Sequence, residues 1–256
     1  MREAPMQEYG KTFAGVYNRL WASFALNLAP TLHAYYESDP TEHRRRRILD
    51  VCCGTGQLLL HFLDHGFTGT GIDLSADMLK HAEENCARYA AEGKVDFVRA
   101  DAADFTLEGR YDFAVSTFDA LNHLPTLPAL WSCFECVHRA LDPGAPFIFD
   151  LNTEKGLRRW NGVTVEDGEQ IMLVNRGLYT RGMERAYTKI TGFVRTADSW
   201  TRFEETAYNT VFPMAAVKEG LVKAGFSLVW FATARNLSER VADPEELDRA
   251  FIIARG

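Results

Sequence analysis

The pattern of apolar and polar positions changes character at residues 47, 153 and 213. Between residues 47 and 152, short apolar runs alternate with segments of helical periodicity. The apolar runs predict strands at 47–51, 68–73, 94–99, 111–117 and 146–151. The periodic segments predict helices at 55–65, 76–91 and 126–141. Because repeated βα units form a parallel sheet with helices on both faces, we predict an α/β core over residues 47–152.

The chain after this core has the pattern of an antiparallel sheet. Glycines recur between β-rich runs such as 171–174 and 187–190. We therefore predict an antiparallel β insertion over residues 153–212 that covers the substrate or forms an oligomer contact. Residues 213–256 should complete the core, which gives a mostly parallel sheet of seven strands. The elements predicted there are a helix at 213–224 and strands at 226–231 and 249–254.

The segment before the first strand has a helical pattern with an aromatic stripe. Aromatic residues recur at spacings of three and four within residues 9–37, and Pro30 is expected to divide this region into two helices. The stripe either packs into the core or covers a ligand site, as mobile connecting segments often do. We describe residues 1–46 as an N-terminal helical lid and leave both alternatives open.

Polar or glycine residues follow four of the predicted strands. Gly54 and Gly56 follow the first strand, Asp73 ends the second, Asp101 follows the third, and residues 117–123 follow the fourth. Open α/β sheets bind ligands at the carboxyl ends of their strands. Glycine allows the backbone to approach a ligand, and a carboxylate at a strand end can accept both hydroxyls of a ribose. The sequence therefore predicts a nucleotide site.

Two residues distinguish between nucleotide cofactors. A dinucleotide fingerprint has a third glycine, but Leu59 occupies its place in the frame that starts at Gly54. Asp50, at the end of the first strand, would repel a pyrophosphate and attract an amino group. A ribose that carries a cationic amine and no phosphate fits this outline, and S-adenosyl-L-methionine has that chemistry.

The motifs resemble those of class I S-adenosylmethionine-dependent methyltransferases, of the type that methylates small molecules. Residues 50–56 (Asp-Val-Cys-Cys-Gly-Thr-Gly) resemble the acid-x-Gly-x-Gly-x-Gly motif, with Cys52 in the place of its first glycine. Residues 71–79, 99–104 and 111–117 resemble the second, third and fourth segments in the same order. The resemblance implies a Rossmann-like α/β fold and methyl transfer by in-line displacement.

The resemblance also implies a cofactor site without metal, with S-adenosyl-L-homocysteine as the product. In the family, the acid of the second segment binds the ribose, the Met position packs on the adenine, and the third segment binds the adenine amine. The implied cofactor-binding residues are Tyr9, Phe13, Asp50, Cys52, Cys53, Gly54, Gly56, Asp73, Leu74, Met78, Asp101, Ala102, Thr117 and Phe118.

The acceptor side is predicted from the loop after the fourth strand and from the N-terminal segment. Residues 9–17 resemble the Tyr-x-x-x-Phe-Ala-x-x-Tyr lead of small-molecule methyltransferases, whose N-terminal helix covers the cofactor. His123 is the candidate general base, because imidazole titrates near neutrality. It could equally only shape the pocket. The candidate acceptor-binding residues are Tyr17, Asp119, Asn122 and His123.

Composition narrows the class of partner. The chain has 256 residues and a net charge of −7, which argues against nucleic acid as a substrate. Without an apolar signal segment or a run of about 18 apolar residues, we expect a cytoplasmic protein that does not bind membranes. We expect a monomer or a homodimer, with its five cysteines as free thiols.

Three alternatives to the N- or O-methylation of a small molecule remain open. They are methylation of a macromolecule, a nucleotide-dependent oxidoreductase, and a protein that binds the cofactor without catalysis.

Overall fold

A computed structural model describes residues 9–39, 45–196 and 199–256. Residues 1–8 and 40–44 of the predicted N-terminal lid lie outside this description. The strands are β1 (Arg47–Val51), β2 (Thr68–Asp73), β3 (Val95–Arg99), β4 (Phe113–Ser116), β5 (Pro146–Asn152), β6 (Gly162–Asp167), β7 (Ile171–Leu178), β8 (Arg185–Thr196), β9 (Ser199–Thr210), β10 (Leu228–Ala232) and β11 (Arg249–Arg255). The α-helices are α1 (Lys11–Leu20), α2 (Ala22–Ser38), α3 (Gln57–Asp64), α4 (Ala76–Asn85), α5 (Ala87–Ala91), α6 (Leu127–Ala140), α7 (Glu154–Leu157) and α8 (Met214–Ala224).

Seven strands form the main sheet, in the order β10-β11-β5-β4-β1-β2-β3. The five strands β1 to β5 are parallel, and β11 pairs antiparallel with both β5 and β10. The predicted mostly parallel sheet of seven strands is confirmed. Because chain order reverses between β1 and β4, a crevice opens at the carboxyl ends of these two strands.

Apolar clusters cover both faces of this sheet. On one face, Leu130 of α6 and Leu221 of α8 are fully buried in the same cluster. On the other face, Leu32 of α2 and Phe62 of α3 are fully buried. Most of α2 is therefore part of the domain core, whereas α1 extends over the strand ends; only the first turn of α2 reaches them, where Phe24 stacks on Phe118 at 4.4 Å.

Two helix boundaries differ from the sequence-based expectation. The division at Pro30 is wrong, because the helices meet at Trp21 and Pro30 lies inside α2. Proline there removes the hydrogen bond to the carbonyl of Leu26. Leu26, which bears that carbonyl, is 50% exposed, so α2 faces solvent at this turn. The helix predicted at 76–91 is two helices, α4 and α5, with Cys86 between them.

The insertion forms a second, antiparallel sheet in the order β6-β7-β8-β9. Its inner face packs on α1, where Phe13 and Val16 contact Ile171 and Leu173 of β7 in one buried cluster. This contact places α1 between the strand ends of the main sheet and the second sheet. The antiparallel insertion predicted after the fifth strand is confirmed.

Two further features of the described chain concern its apolar segments. Cys133 and Cys136, which form a Cys-x-x-Cys spacing, are buried in the core as apolar residues on the inner face of α6. Among the described residues, no helix combines the length and the apolar character that crossing a bilayer requires.

Candidate active site

One cavity of about 740 Å³ lies between the strand ends of the main sheet, α1 and the second sheet. A volume of this size is typical of a small-molecule site. Its walls come from four parts of the fold. They are α1 with the preceding Tyr9, the loops after β1 to β4, the segment 159–162, and the inner face of β6 to β9. The parallel sheet and the insertion therefore share one chamber.

The loop after β1 has an unusual backbone. Cys52, Gly54 and Gly56 all have positive φ angles, of 60°, 54° and 78°. A left-handed conformation favours glycine, and a side chain there costs about 1 kcal/mol. Cys52 thus keeps the backbone geometry of the glycine that it replaces, and its side chain lines the cavity. Burial raises the pKa of the Cys52 thiol, so the thiol is a poor nucleophile.

The carboxylate of Asp73 connects the ends of β1 and β2. Its two oxygens accept hydrogen bonds from the backbone N–H groups of Gly54 and Ser75, each at 2.9 Å. Asp73 also lines the cavity. Asp50 is buried beneath this loop, and its pKa is raised by burial and by the charge of Asp73. A cation near these two carboxylates would favour their ionised forms.

A strained turn follows β4. Phe118 and Asp119 are non-glycine residues with φ angles of 66° and 48°. The buried carboxylate of Asp150, in β5, accepts the backbone N–H groups of both residues, at 2.7 and 2.9 Å. Arg249, in β11, forms ion pairs with Asp150 and, at 2.6 Å, with Asp119. These charge-assisted bonds offset the strain and fix the direction of the turn.

His123 ends a short 3₁₀ turn, Ala120–His123, that continues from this strained turn. It lines the cavity, and its Nε2 lies 3.4 Å from the hydroxyl of Tyr9. Burial lowers the pKa of His123, while the Asp119 carboxylate and a backbone hydrogen bond with Tyr208 oppose that shift. The imidazole is therefore neutral at physiological pH and able to accept a proton.

Four aromatic side chains line the cavity on the side of the N-terminal helices. We call this group, Tyr9, Phe13, Tyr17 and Trp21, the aromatic lid. Tyr9 packs on Phe13 at a ring-centroid distance of 4.5 Å, and Phe13 packs on Trp21 at 5.5 Å. Tyr17 reaches the strained turn, where its ring lies 6.1 Å from that of Phe118. All four lid residues line the cavity. Packed rings of this kind exclude water from a site.

Most of the cofactor residues expected from the sequence lie at this cavity. The lining includes Tyr9, Phe13, Cys52, Gly54, Asp73, Leu74, Met78, Asp101, Ala102, Thr117 and Phe118, and on the acceptor side Tyr17, Asp119 and His123. Asp50 and Cys53 instead line a smaller adjoining pocket beside Tyr17. Gly56 lines neither pocket: it precedes the first residue of α3 and packs against Ala82, which a Cβ at Gly56 would approach to 3.0 Å.

Asn122 does not reach the cavity, contrary to its expected role with the acceptor. Its side chain is fully buried. Its amide nitrogen donates to the carbonyls of Asn152 and Thr210, at 3.2 and 2.9 Å, and its oxygen accepts the N–H of Asn152 at 2.9 Å. The polar groups of Asn122 thus join the loop after β4 to the base of the insertion.

Sequence reasoning missed several residues of the site, of which three bear on its chemistry or its geometry. Asp150 and Arg249 support the strained turn, and Asn175 of β7 lines the cavity. The Oδ1 atom of Asn175 is buried and has no hydrogen-bond partner in the described chain. A buried acceptor without a partner costs free energy, which a ligand donor can recover. The only sequence signal for Asp150 and Arg249 was a charge within an apolar strand.

The comparisons with known proteins agree with this geometry. Residues 48–144 match the family model described as "Methyltransferase domain". The Bacillus subtilis protein YqeM is 27% identical over 224 residues, which are 84% of this chain and 85% of YqeM. A solved S-adenosylmethionine-dependent methyltransferase from Clostridium acetobutylicum has a TM-score of 0.79 at 19% identity, over 95% of this chain and 97% of its own. The sugar N-methyltransferase KedS8 from Streptoalloteichus has a TM-score of 0.74 at 20% identity, over 100% of this chain and 98% of its own.

Residues 48–144 thus match a methyltransferase domain, and the whole chain has the fold of solved S-adenosylmethionine-dependent methyltransferases. A solved amino-pentose methyltransferase of the same fold, CalS10 from Micromonospora echinaspora, has S-adenosylmethionine bound; its TM-score is 0.68 at 20% identity, over 96% of this chain and 97% of its own. The cavity fits this group, because the described ends of β1, β2 and β3 contribute the carboxylates of Asp73 and Asp101 and no basic side chain to the lining. Such a wall favours a cationic sulfonium and ammonium over a pyrophosphate.

Replacing Arg249 by methionine should destabilise the fold. The substitution leaves the Asp150 carboxylate, which is 0% exposed, without its counter-charge. Loss of one partner of a buried pair costs about 3 kcal/mol of unfolding free energy. Denaturant unfolding measures this loss. The control is Lys155→Met, which breaks an ion pair with side chains 41% and 72% exposed and should cost less than about 1 kcal/mol. Equal losses in the two variants would contradict the role given to Arg249.

Substitutions of Cys52 should separate backbone strain from thiol chemistry. Cys52→Gly suits a φ of 60°, so unfolding free energy should stay within about 1 kcal/mol of wild type and cofactor affinity should persist. Cys52→Val places a β-branched residue in the left-handed region and should cost about 2 kcal/mol. Thermal unfolding and titration calorimetry with S-adenosyl-L-methionine measure both effects. A valine variant as stable and as tight-binding as the glycine variant would refute this account.

Proposed function

We propose that this methyltransferase acts on a small-molecule acceptor and methylates its nitrogen or oxygen atom. One observation carries the proposal: a single cavity of about 740 Å³ joins the strand ends of the main sheet to the inner face of the insertion. The strand ends hold the cofactor in this arrangement, and the second sheet forms the acceptor wall. The four aromatic side chains of the lid also line this cavity, and an enclosed apolar wall of this kind favours a small acceptor over a macromolecule.

The cofactor half of the cavity has a role for each strand end. Asp73 accepts hydrogen bonds from the ribose hydroxyls with the lone pairs that its bonds to Gly54 and Ser75 leave free. Met78 packs against the adenine, and the loop at Asp101 binds the adenine amine. Asp50, below the glycine loop, favours the amino group electrostatically. These assignments follow the motif resemblance and the positions of the side chains around the cavity.

The acceptor half has a polar wall. Thr164, Asn175 and Thr188 come from three adjacent strands of the second sheet and line the cavity together. Asn175 offers the unpaired Oδ1 to an N–H or O–H donor. A hydroxyl-rich amine satisfies such a wall. The named activity of KedS8, a sugar N-methyltransferase of the same fold, agrees with this chemistry and makes amino sugars the first acceptors to test.

The reaction needs an in-line approach and a proton acceptor. S-adenosyl-L-methionine supplies a methyl group on a positively charged sulfur, so little further activation is needed. The chain holds the acceptor atom in line and excludes water with the aromatic lid. His123 takes the proton that the acceptor nitrogen or oxygen loses, because its lowered pKa keeps it neutral. Arg249 and Asp150 act as positioning residues, since they fix the turn that leads to His123.

The direct test is an assay with methyl-labelled S-adenosyl-L-methionine and a panel of acceptors. The panel contains amino sugars, simple amines and hydroxylated metabolites, with protein and RNA fractions beside them. We expect label in a small amine or alcohol and release of S-adenosyl-L-homocysteine. Transfer only to protein or RNA would overturn the small-molecule proposal. Cofactor binding without any turnover, or tighter binding of NAD, would favour the non-catalytic or oxidoreductase alternative.

Asp73→Ala should weaken cofactor binding at least tenfold, about 1.4 kcal/mol. The variant loses the acceptor oxygens for the ribose and releases the Gly54 N–H. Titration calorimetry measures the affinity. Asp104→Ala is the control, because Asp104 is an exposed carboxylate near the end of β3 that does not line the cavity. Wild-type affinity in the Asp73 variant would remove this residue from the ribose site.

His123→Ala should lower kcat by about a hundredfold and leave cofactor affinity within about twofold. The base must be unprotonated, and its pKa lies below its ordinary value. Wild-type kcat should therefore stay on its plateau down to about pH 6.5 and fall only at lower pH. The variant should lack this acidic limb. If kcat and its pH profile are both unchanged, His123 only shapes the pocket.

A further inference from the structure

Three histidines lie together at a distance from the cavity. His33 belongs to α2, His61 lies in the last turn of α3, and His65 caps the end of that helix. Because α3 starts at the glycine loop after β1 and runs back along the sheet to the start of β2, its last turn lies at the amino-terminal end of the strands, away from the cavity. The three side chains are partly or fully accessible. The proposed methyl transfer uses none of them.

The geometry of this cluster approaches that of a metal site. One ring nitrogen from each histidine lies within 4.8 Å of the other two. The ring centroids of His61 and His65 are 4.3 Å apart, and those of His33 and His65 are 4.6 Å apart. Two imidazole nitrogens on one tetrahedral zinc ion are about 3.3 Å apart, as bonds of about 2.0–2.1 Å require. Small rotations of the side chains close the difference.

The hydrogen bonds around the cluster leave ring nitrogens free. Nδ1 of His65 lies 2.7 Å from the carbonyl of His61. A carbonyl only accepts, so Nδ1 carries the proton and the Nε2 lone pair is available to a metal. This arrangement orients metal-binding histidines in many proteins. Nε2 of His61 is buried and has no hydrogen-bond partner among the described residues. A bound ion would satisfy that nitrogen.

The charges around the cluster also suit a cation. The Glu37 carboxylate lies 3.4 Å from Nε2 of His33, where it can orient the ring or provide a fourth ligand. Arg46 is the nearby basic group, and its guanidinium is paired with Glu37 at 2.8 Å.

We propose that His33, His61 and His65 bind one divalent transition-metal ion, with Zn²⁺ as the first candidate. Three imidazoles without a thiolate suit Zn²⁺, Ni²⁺ or Cu²⁺, and the exposed side of the cluster leaves room for a water ligand. The ion ties α2 to α3. It stabilises the N-terminal helices on the core, because α2 packs against α3 in the same buried cluster. It takes no part in methyl transfer.

The test is metal binding to the tag-free, metal-stripped full-length protein. Titration calorimetry with ZnCl₂ should show one equivalent per chain. Thermal unfolding should shift upward by about 5 °C when free Zn²⁺ exceeds its Kd a hundredfold. One bound Co²⁺ should give the visible absorption of a tetrahedral site. Failure of the wild-type protein to bind one equivalent would overturn the proposal.

Two variants locate the site. His65→Ala removes an exposed ligand and should weaken Zn²⁺ binding at least tenfold, while loss of its bond to the His61 carbonyl lowers the melting temperature of the metal-free protein by no more than about 4 °C. His81→Ala is the matched control, because His81 lies on α4, where it pairs with Glu84 instead of joining the cluster. It should bind Zn²⁺ like wild type. Equal affinity in the two variants would place any bound zinc elsewhere and refute the assignment.

Discussion

The buried carboxylate of Asp150 is the constraint on which the acceptor side of the site depends. It holds two consecutive residues, Phe118 and Asp119, in a backbone conformation that L-residues rarely adopt. Arg249 supplies the counter-charge from a neighbouring strand. The turn after β4 therefore does not relax into a regular loop, and His123 is presented at the cavity wall. The position of His123, the proposed base, is therefore set by a carboxylate that does not itself line the cavity.

The cofactor side depends on sterics at the glycine loop. Cys52 shows that the first glycine of the motif is replaceable as long as its left-handed backbone is kept. Gly71 of β2 has a different constraint, because a Cβ there would lie 2.7 Å from the sulfur of Cys53. The adjacent cysteine thus occupies the space that glycine leaves on the next strand. Whether a substitution at one position of the motif is tolerated therefore depends on these contacts.

Local patterns predicted much of the fold, including the bounds of β1 and β2, the seven strands of the main sheet and the presence of the inserted antiparallel sheet. Local rules failed at Pro30, which lies inside α2 although proline removes a helical hydrogen bond. They also failed at Asn122, whose partners lie 30 and 88 residues away. Asp150, Arg249 and the three histidines are long-range assemblies, so no spacing in the sequence indicates them. The residues expected to bind the cofactor could be predicted from the sequence, because the carboxyl ends of parallel strands lie together at one end of the sheet.

The buried asparagines at the base of the insertion have a consequence for how such enzymes diversify. Asn122 bonds to backbone on both sheets, and Asn152 donates to Asn209 of β9 at 2.9 Å. This junction ties the two sheets together; Asn122 and Asn209 lie outside the cavity, whereas Asn152 lines it. Side chains of the proposed acceptor wall can then be substituted without moving the second sheet relative to the main sheet. Mutation of these side chains changes which acceptor is selected and leaves the cofactor-binding strand ends unchanged.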